Sequence, residues 1–254
     1  MKKLLLATAT LAITSAAPLA AQAQDVSVST SIDYVSEYVF RGVTLAETAI
    51  QPGVEVAVGD FAVGAWFSTG VGETSVFAGD EVDLYASYGF GLSELISGSV
   101  GITYYHYPQG GGLFSTNDGA SGTYEVSAGL GFDTLLAPSL TAYYDLTLDN
   151  FTLEGGVGHS FPVAEKTSFD LSLTAGLVDV DDGESYEYGV ASAGLSYAFT
   201  DAVSVYGNLN YGLSSEDTFA DVSIDLDATE IEDLFEAEAD DNSLWFGLGI
   251  SAGF

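Results

Sequence analysis

"EVDLYASYGF", residues 81–90, sets each side chain against its neighbour. Val82, Leu84, Ala86, Tyr88 and Phe90 form one series, and Glu81, Asp83, Tyr85, Ser87 and Gly89 form the other. A period of two marks a β-strand with one apolar and one polar face. The pattern returns at 124–133, where Tyr124, Val126, Ala128, Leu130 and Phe132 oppose Glu125, Ser127, Gly129, Gly131 and Asp133. It returns at 26–34, with Val26, Val28, Ile32 and Tyr34 against Ser27, Ser29, Ser31 and Asp33. Segments 140–147, 151–161, 168–177, 203–212 and 244–254 behave likewise.

The polar series, built from Ser, Thr, Gly and acids, decides what kind of sheet this is. A soluble sandwich turns its apolar face inward and covers the outer face with mixed Lys and Glu. Four basic residues in 254 make that covering impossible. A transmembrane barrel has the same dyad with lipid on one side and a polar lumen on the other, in segments of about ten residues. The expected fold is therefore all-β: a transmembrane antiparallel up-and-down β-barrel of about twelve strands. They are placed at 26–38, 50–58, 61–70, 81–90, 97–107, 122–133, 139–147, 151–161, 167–177, 185–199, 201–213 and 243–254. Connections after even strands are tight, such as Gly59-Asp60 and Thr200, whereas most after odd strands are long, as in "VGETSVFAGD" and "PQGGGLFSTNDGASG". Short turns on the periplasmic side and long loops outside are how outer-membrane barrels are built, and an even strand number returns both termini to the periplasm.

The N-terminus agrees. MKKLLLATATLAITSAAPLAAQAQ has a basic start, an apolar run from Leu4 to about Ile13 and a small-residue site at Ala21-x-Ala23, the three parts of a cleaved secretory signal. The apolar run is too short for a membrane-spanning helix. Residues 1–23 are read as the signal peptide and 24–254 as the barrel, exported to the bacterial (Gram-negative) outer membrane. The chain ends in "LWFGLGISAGF", with Leu244, Phe246, Leu248, Ile250, Ala252 and Phe254 on one face. A terminal aromatic closing an alternating strand resembles the insertion signature of bacterial outer-membrane barrels, which implies that Phe254 is an assembly signal read by the barrel-assembly machinery.

Beyond residue 23 all 37 acids stand against two bases, Arg41 and Lys166, a net charge of −35. That excludes nucleic acid as a partner, since phosphate binding needs Lys and Arg, and leaves outer-membrane lipid and small solutes or cations. The chain has no Cys, so no disulfide supports it. Residues 214–241 hold twelve acids and no base and are read as a long acidic extracellular loop. Within it "ATEIEDLFEAEA" spaces Ile231, Leu234 and Phe235 for a short amphipathic helix. "DVDDGE" at 179–184 lacks the glycine position and terminal Glu of a twelve-residue calcium loop. His106 and His159 are read as interfacial belt residues, and no nucleophile–base–orienter constellation is visible. Neither an enzyme nor a cofactor is expected.

"DYVSEYVFRG" at 33–42 is the one specific motif. It resembles the opening signature of the TorF porin family, in which a Ser/Asp/Glu-Tyr-x-Phe-Arg-Gly element closes the first strand; Ser36, Glu37, Tyr38, Phe40, Arg41 and Gly42 match. The resemblance implies a porin. The residues themselves imply a narrow lumen, and rings of Asp and Glu favour cations. The pore-lining candidates are Asp33, Glu37, Arg41, Glu55, Asp83, Glu125, Asp145, Glu154 and Asp170. Arg41 is expected to clasp the first outer loop to the acidic wall, with its aromatic neighbours offering a cation–π seat. The expected function is passive diffusion of small solutes, cations preferred. The alternative is a non-conducting surface or adhesion barrel that works through its acidic loop.

Overall fold

The computed structural model describes residues 26–71, 79–181, 183–224 and 235–254. The segment expected to be a signal peptide, the middle of the 71–80 loop and the centre of the acidic loop lie outside the described residues. Among the described residues sixteen strands form, and twelve of them close one antiparallel barrel. In chain order the barrel strands are β1 (Val26–Val35), β4 (Ala49–Val58), β5 (Phe61–Gly70), β6 (Glu81–Gly91), β7 (Ile96–His106) and β8 (Gly122–Phe132). They continue with β9 (Ser139–Asp145), β10 (Phe151–Ala164), β11 (Thr167–Asp179), β12 (Tyr186–Ala198), β13 (Val203–Ser214) and β16 (Asn242–Gly253). Each pairs with its neighbours in sequence, and the circle closes where β16 meets β1, Thr30 opposite Ala252 and Tyr34 opposite Leu248. A last rung is added there: Val28 N–H donates to Phe254 O at 3.0 Å and Phe254 N–H to Val28 O at 2.9 Å. Closure leaves no barrel strand with an unpaired edge, the condition for β-structure in lipid.

Parity sorts the side chains as the alternation predicts. Leu173 (58 % exposed), Leu195 (56 %) and Leu248 (55 %) stand on the outer wall, while Asp33 and Asp83 on the other parity are 4 % and 2 % exposed. So wide an apolar surface on so acidic a chain is made for lipid. Aromatics collect at both ends of the outer wall. Phe61, Tyr88, Phe132, Phe161, Tyr197 and Phe199 lie near the short turns, and Tyr34, Phe67, Tyr144, Phe151, Tyr211 and Phe246 near the long loops. These are the two girdles of a membrane barrel. A closed barrel with its backbone fully paired resists detergent unfolding. Unboiled protein should therefore migrate differently from boiled protein on a detergent gel, and a chain released by osmotic shock without detergent would contradict the fold.

The remaining four described strands are not part of the cylinder's wall. β2 (Tyr38–Phe40) and β3 (Val43–Ala46) form a small hairpin, and β14 (Phe219–Ile224) and β15 (Phe235–Asp240) form another. Both correct the sequence reading. The first strand was expected to run from 26 to 38, but β1 ends at Val35 and the chain folds back as a separate hairpin. The helix expected within 228–239 is not formed at its C-terminal part, because Phe235–Asp240 is paired as a strand with Phe219–Ile224; the rest of that segment lies outside the described residues. Pairing offers those backbone groups long-range partners that a single short helix would lack.

Candidate functional site: a hairpin across the lumen

The tip of the β2–β3 hairpin is Arg41-Gly42, since Phe40 pairs directly with Val43. Both tip residues have left-handed φ, 50° and 77°, as the tightest hairpin turns require. Glycine takes this conformation freely, and a Cβ on Gly42 would stand 2.5 Å from Cβ of Tyr188. For Arg41 the same conformation is strained, and such strain persists only where surrounding contacts fix it.

Those contacts come from the far wall. Arg41 donates from both Nη atoms to the Glu125 carboxylate on β8, at 2.7 and 2.8 Å. Its guanidinium lies 4.1 Å from the ring centre of Tyr143 on β9 and 4.7 Å from that of Phe40. Tyr105 on β7 donates to the same Glu125 at 3.0 Å, and its ring meets Phe40 edge-on. The Arg41 and Glu125 side chains are 12 % and 6 % exposed. At the base of the hairpin Tyr38 packs on Trp66 of β5 and donates to Glu81 of β6 at 2.9 Å. Glu37 accepts from Thr44 and from Ser243 of β16, and Thr44 N–H donates to Thr218 O at 3.1 Å. A segment bonded to β6, β8 and β16 at once crosses the lumen. It lies in the half nearer the long loops.

Every carboxylate proposed from the sequence has its place here, and most are held by a donor. Three are held in one repeated way. Tyr206 opposes Gly249, which opposes Asp33, and the Tyr206 hydroxyl donates to Asp33. Tyr85 opposes Gly64, which opposes Glu55, and Tyr85 donates to Glu55 at 3.2 Å. Tyr188 opposes Gly176, which opposes Glu154, and Tyr188 donates to Glu154. In each rung the ring lies over the glycine of the next strand, so that a Cβ there would collide with it at 2.3 Å, and the hydroxyl reaches an acid two strands away. Asp145 instead turns to the backbone, accepting from Thr147 and Leu148 N–H at 2.8 Å, and closes the β9–β10 turn. Asp170 accepts from Ser168. Asp83 is the exception: among the described residues its buried Oδ1 has no hydrogen-bond partner.

Two sets of residues escaped the sequence reading. Glu81 sits beside Asp83 on the polar face yet was not chosen, and the inward tyrosines 85, 105, 143, 188 and 206 were not considered. Their signal was present for Tyr85, which falls on the polar parity of its strand, where a membrane-belt residue does not belong. The histidines divide. His159 packs on Phe161 of the outer wall at 4.5 Å and its Nδ1–H donates to Leu135 O at 2.7 Å. His106 is buried, not a belt residue: its Nδ1–H donates to Ser121 O at 2.9 Å under the 107–121 loop, which folds back over Tyr104. Among the described residues no three Asp, Glu or His side chains converge at metal-binding spacing.

Residues 19–208 match the family described as "Bacterial protein of unknown function (Gcw_chp)", and the chain belongs to that family. No curated protein matches it in sequence. Among solved structures it is similar to the NanC porin, with 13 % identity, 89 % of this chain and 98 % of that one covered, and a TM-score of 0.52. It is similar to the KdgM porin at 10 % identity, with coverage of 90 % and 99 % and a TM-score of 0.53. An outer membrane channel from Pseudomonas putida F1 aligns at 12 % identity, covering 92 % and 97 %, with a TM-score of 0.50. At such identities the shared property is the outer-membrane barrel fold.

Proposed function

We propose that this member of the Gcw_chp family is a narrow outer-membrane channel for passive diffusion of small solutes, with cations preferred. The observation that carries the reading is the charge balance around the hairpin. Of the described basic residues only Arg41 enters the lumen, and Glu125 takes its charge bidentately; Lys166 lies in the exposed turn between β10 and β11. Asp33, Glu37, Glu55, Glu81, Asp83, Glu154 and Asp170 remain on the inner side with hydroxyl donors or none. A confined wall of one sign enriches counter-ions. Away from the hairpin the inner parity includes many small polar residues, such as Ser31, Ser87, Ser127, Thr141, Ser172 and Ser192, beside the inward Tyr206, which suits a wet vestibule. The likeness to solved porins and to the TorF signature supports the channel, the barrel fold supports an outer-membrane location, and Phe254 is proposed as the residue the assembly machinery reads.

The test is conductance of the purified barrel in a planar bilayer under a salt gradient. The reversal potential should have the cation-selective sign and shrink as salt rises, because screening at about 0.15 M acts over only about 8 Å and tightens further above that. An anion-selective sign would remove the preference. One feature favours a second reading, a surface barrel that conducts nothing: the hairpin buries Thr44, Ala46 and Ala49 to 3 % exposure or less. Absence of conductance across the whole salt range would select it.

A further inference from the structure

The lumen's acids are satisfied in every case but one. Asp33, Glu55 and Glu154 each accept from a tyrosine, Glu125 from Arg41 and Tyr105, and Glu37 from Thr44 and Ser243. Asp83 is 2 % exposed, and among the described residues its Oδ1 is the one buried side-chain oxygen without a hydrogen-bond partner. Two residues away on the same face of β6, Glu81 is 6 % exposed, and the two carboxyl groups lie within hydrogen-bonding reach of each other. Tyr38 and Tyr107 bring their hydroxyls to Glu81. Two adjacent carboxylates withdrawn from water need a compensating positive charge. Arg41 does not supply it, because both its Nη atoms are on Glu125. Asp83 Oδ1 has no donor among the described residues, and a metal cation would take that oxygen directly.

We propose that Glu81 and Asp83 form a transit site for a small hard divalent cation, of which Ca²⁺ is the type, beside the base of the β2–β3 hairpin. This deepens the channel reading and rests on it for the word transit; the binding itself does not need conduction. The ligands are oxygens of the kind such ions prefer, two carboxylates with tyrosine hydroxyls and water around them. The charge of the pair matches the ion. Two protein carboxylates make a weak site, and a weak site is what a conduction path needs, since an ion must leave as readily as it enters.

Terbium, a luminescent substitute for calcium, tests the site in the detergent-folded full barrel. Trp66 lies 5.4 Å from Tyr38, which bonds Glu81, so an ion at the pair is close to aromatic sensitisers. Saturable terbium emission displaced by Ca²⁺ is expected. Asp83→Asn and Glu81→Gln should each weaken terbium binding roughly tenfold or more, as loss of one of two charged ligands implies. Glu165→Gln in the exposed turn after β10 should change nothing. Heat-modifiable mobility checks that each variant folds, and the two near-isosteric substitutions are independent of each other. Emission that Ca²⁺ displaces equally well from wild type and from both variants would put the ion on the acidic loop and overturn the proposal, as would the lack of any Ca²⁺-displaceable emission. Binding lost in the variants of a barrel that never conducts would keep the site and end the channel reading. Cation-selective conduction with binding unchanged in the variants would end the site and keep the channel.

Discussion

Replacing Arg41 with Ala should open the lumen. The substitution removes both bonds to Glu125 and the guanidinium over Tyr143, and leaves Glu125, 6 % exposed, without its cation. Breaking one side of a buried ion pair costs about 3–5 kcal/mol. That figure bears on the hairpin first, because the barrel wall has its own ladder of strand pairs while β2–β3 has few backbone bonds of its own. A two-stranded hairpin is marginal in isolation. The expected result is therefore a barrel that keeps its heat-modifiable mobility while its hairpin becomes sensitive to protease and its single-channel conductance rises several-fold. The double variant Arg41→Met with Glu125→Gln should recover part of the hairpin's protection, because it leaves no unpaired charge. Identical proteolysis and conductance in wild type and Arg41→Ala would show that the hairpin is held without its arginine. A general loss of the folded band would show instead that the hairpin supports the wall.

How the arginine is used was only partly visible in the chain. The alternation in 81–90 and 124–133 specified the wall, because burial in lipid on one face and water on the other leaves a mark on every residue. The twelve expected strands match the twelve observed, most within three residues at their ends. The hairpin was hidden for the same reason the wall was plain. Tyr38-Val39-Phe40 reads as a continuation of β1, and its break rests on Ser36-Glu37, which are ordinary residues on a polar face. The acidic wall opposite Arg41 was named with Glu125 in it, but Glu125 was not singled out as the partner of Arg41. Choosing it needed the barrel's circumference, which places β8 across from β1, and period-two patterning carries no information about circumference. The Tyr–Gly–acid rungs depend on register across three strands at a time. Gly64 lies between Tyr85 and Glu55 only because the β4–β5 turn is Gly59-Asp60 and the β5–β6 pairing sets Phe61 against Tyr88. Glu81 was visible in the sequence as a polar-face residue, and what distinguishes it, an unsatisfied Asp83 beside it, is a property of packing.

Removing Phe254 should lower the amount of barrel in the outer membrane about tenfold while leaving export intact, and the structure explains why that result would speak of recognition rather than stability. The Phe254 ring is 78 % exposed, so its deletion takes away little burial. Its backbone contributes the two bonds with Val28 at the β1–β16 seam, worth about 0.5–1.5 kcal/mol each. The other pairs of that seam, Ser29–Gly253 through Val35–Gly247, remain. Phe254→Ser keeps both backbone bonds and loses only the ring, so it separates the two contributions. If the terminal aromatic is what the assembly machinery reads, the deletion and Phe254→Ser should fail alike in cells, while both refold from urea into detergent with nearly wild-type yield. Poor refolding of the deletion but not of Phe254→Ser would assign the defect to the seam. Wild-type surface levels for Phe254→Ser would make the residue an ordinary strand end on a barrel whose insertion is directed from elsewhere.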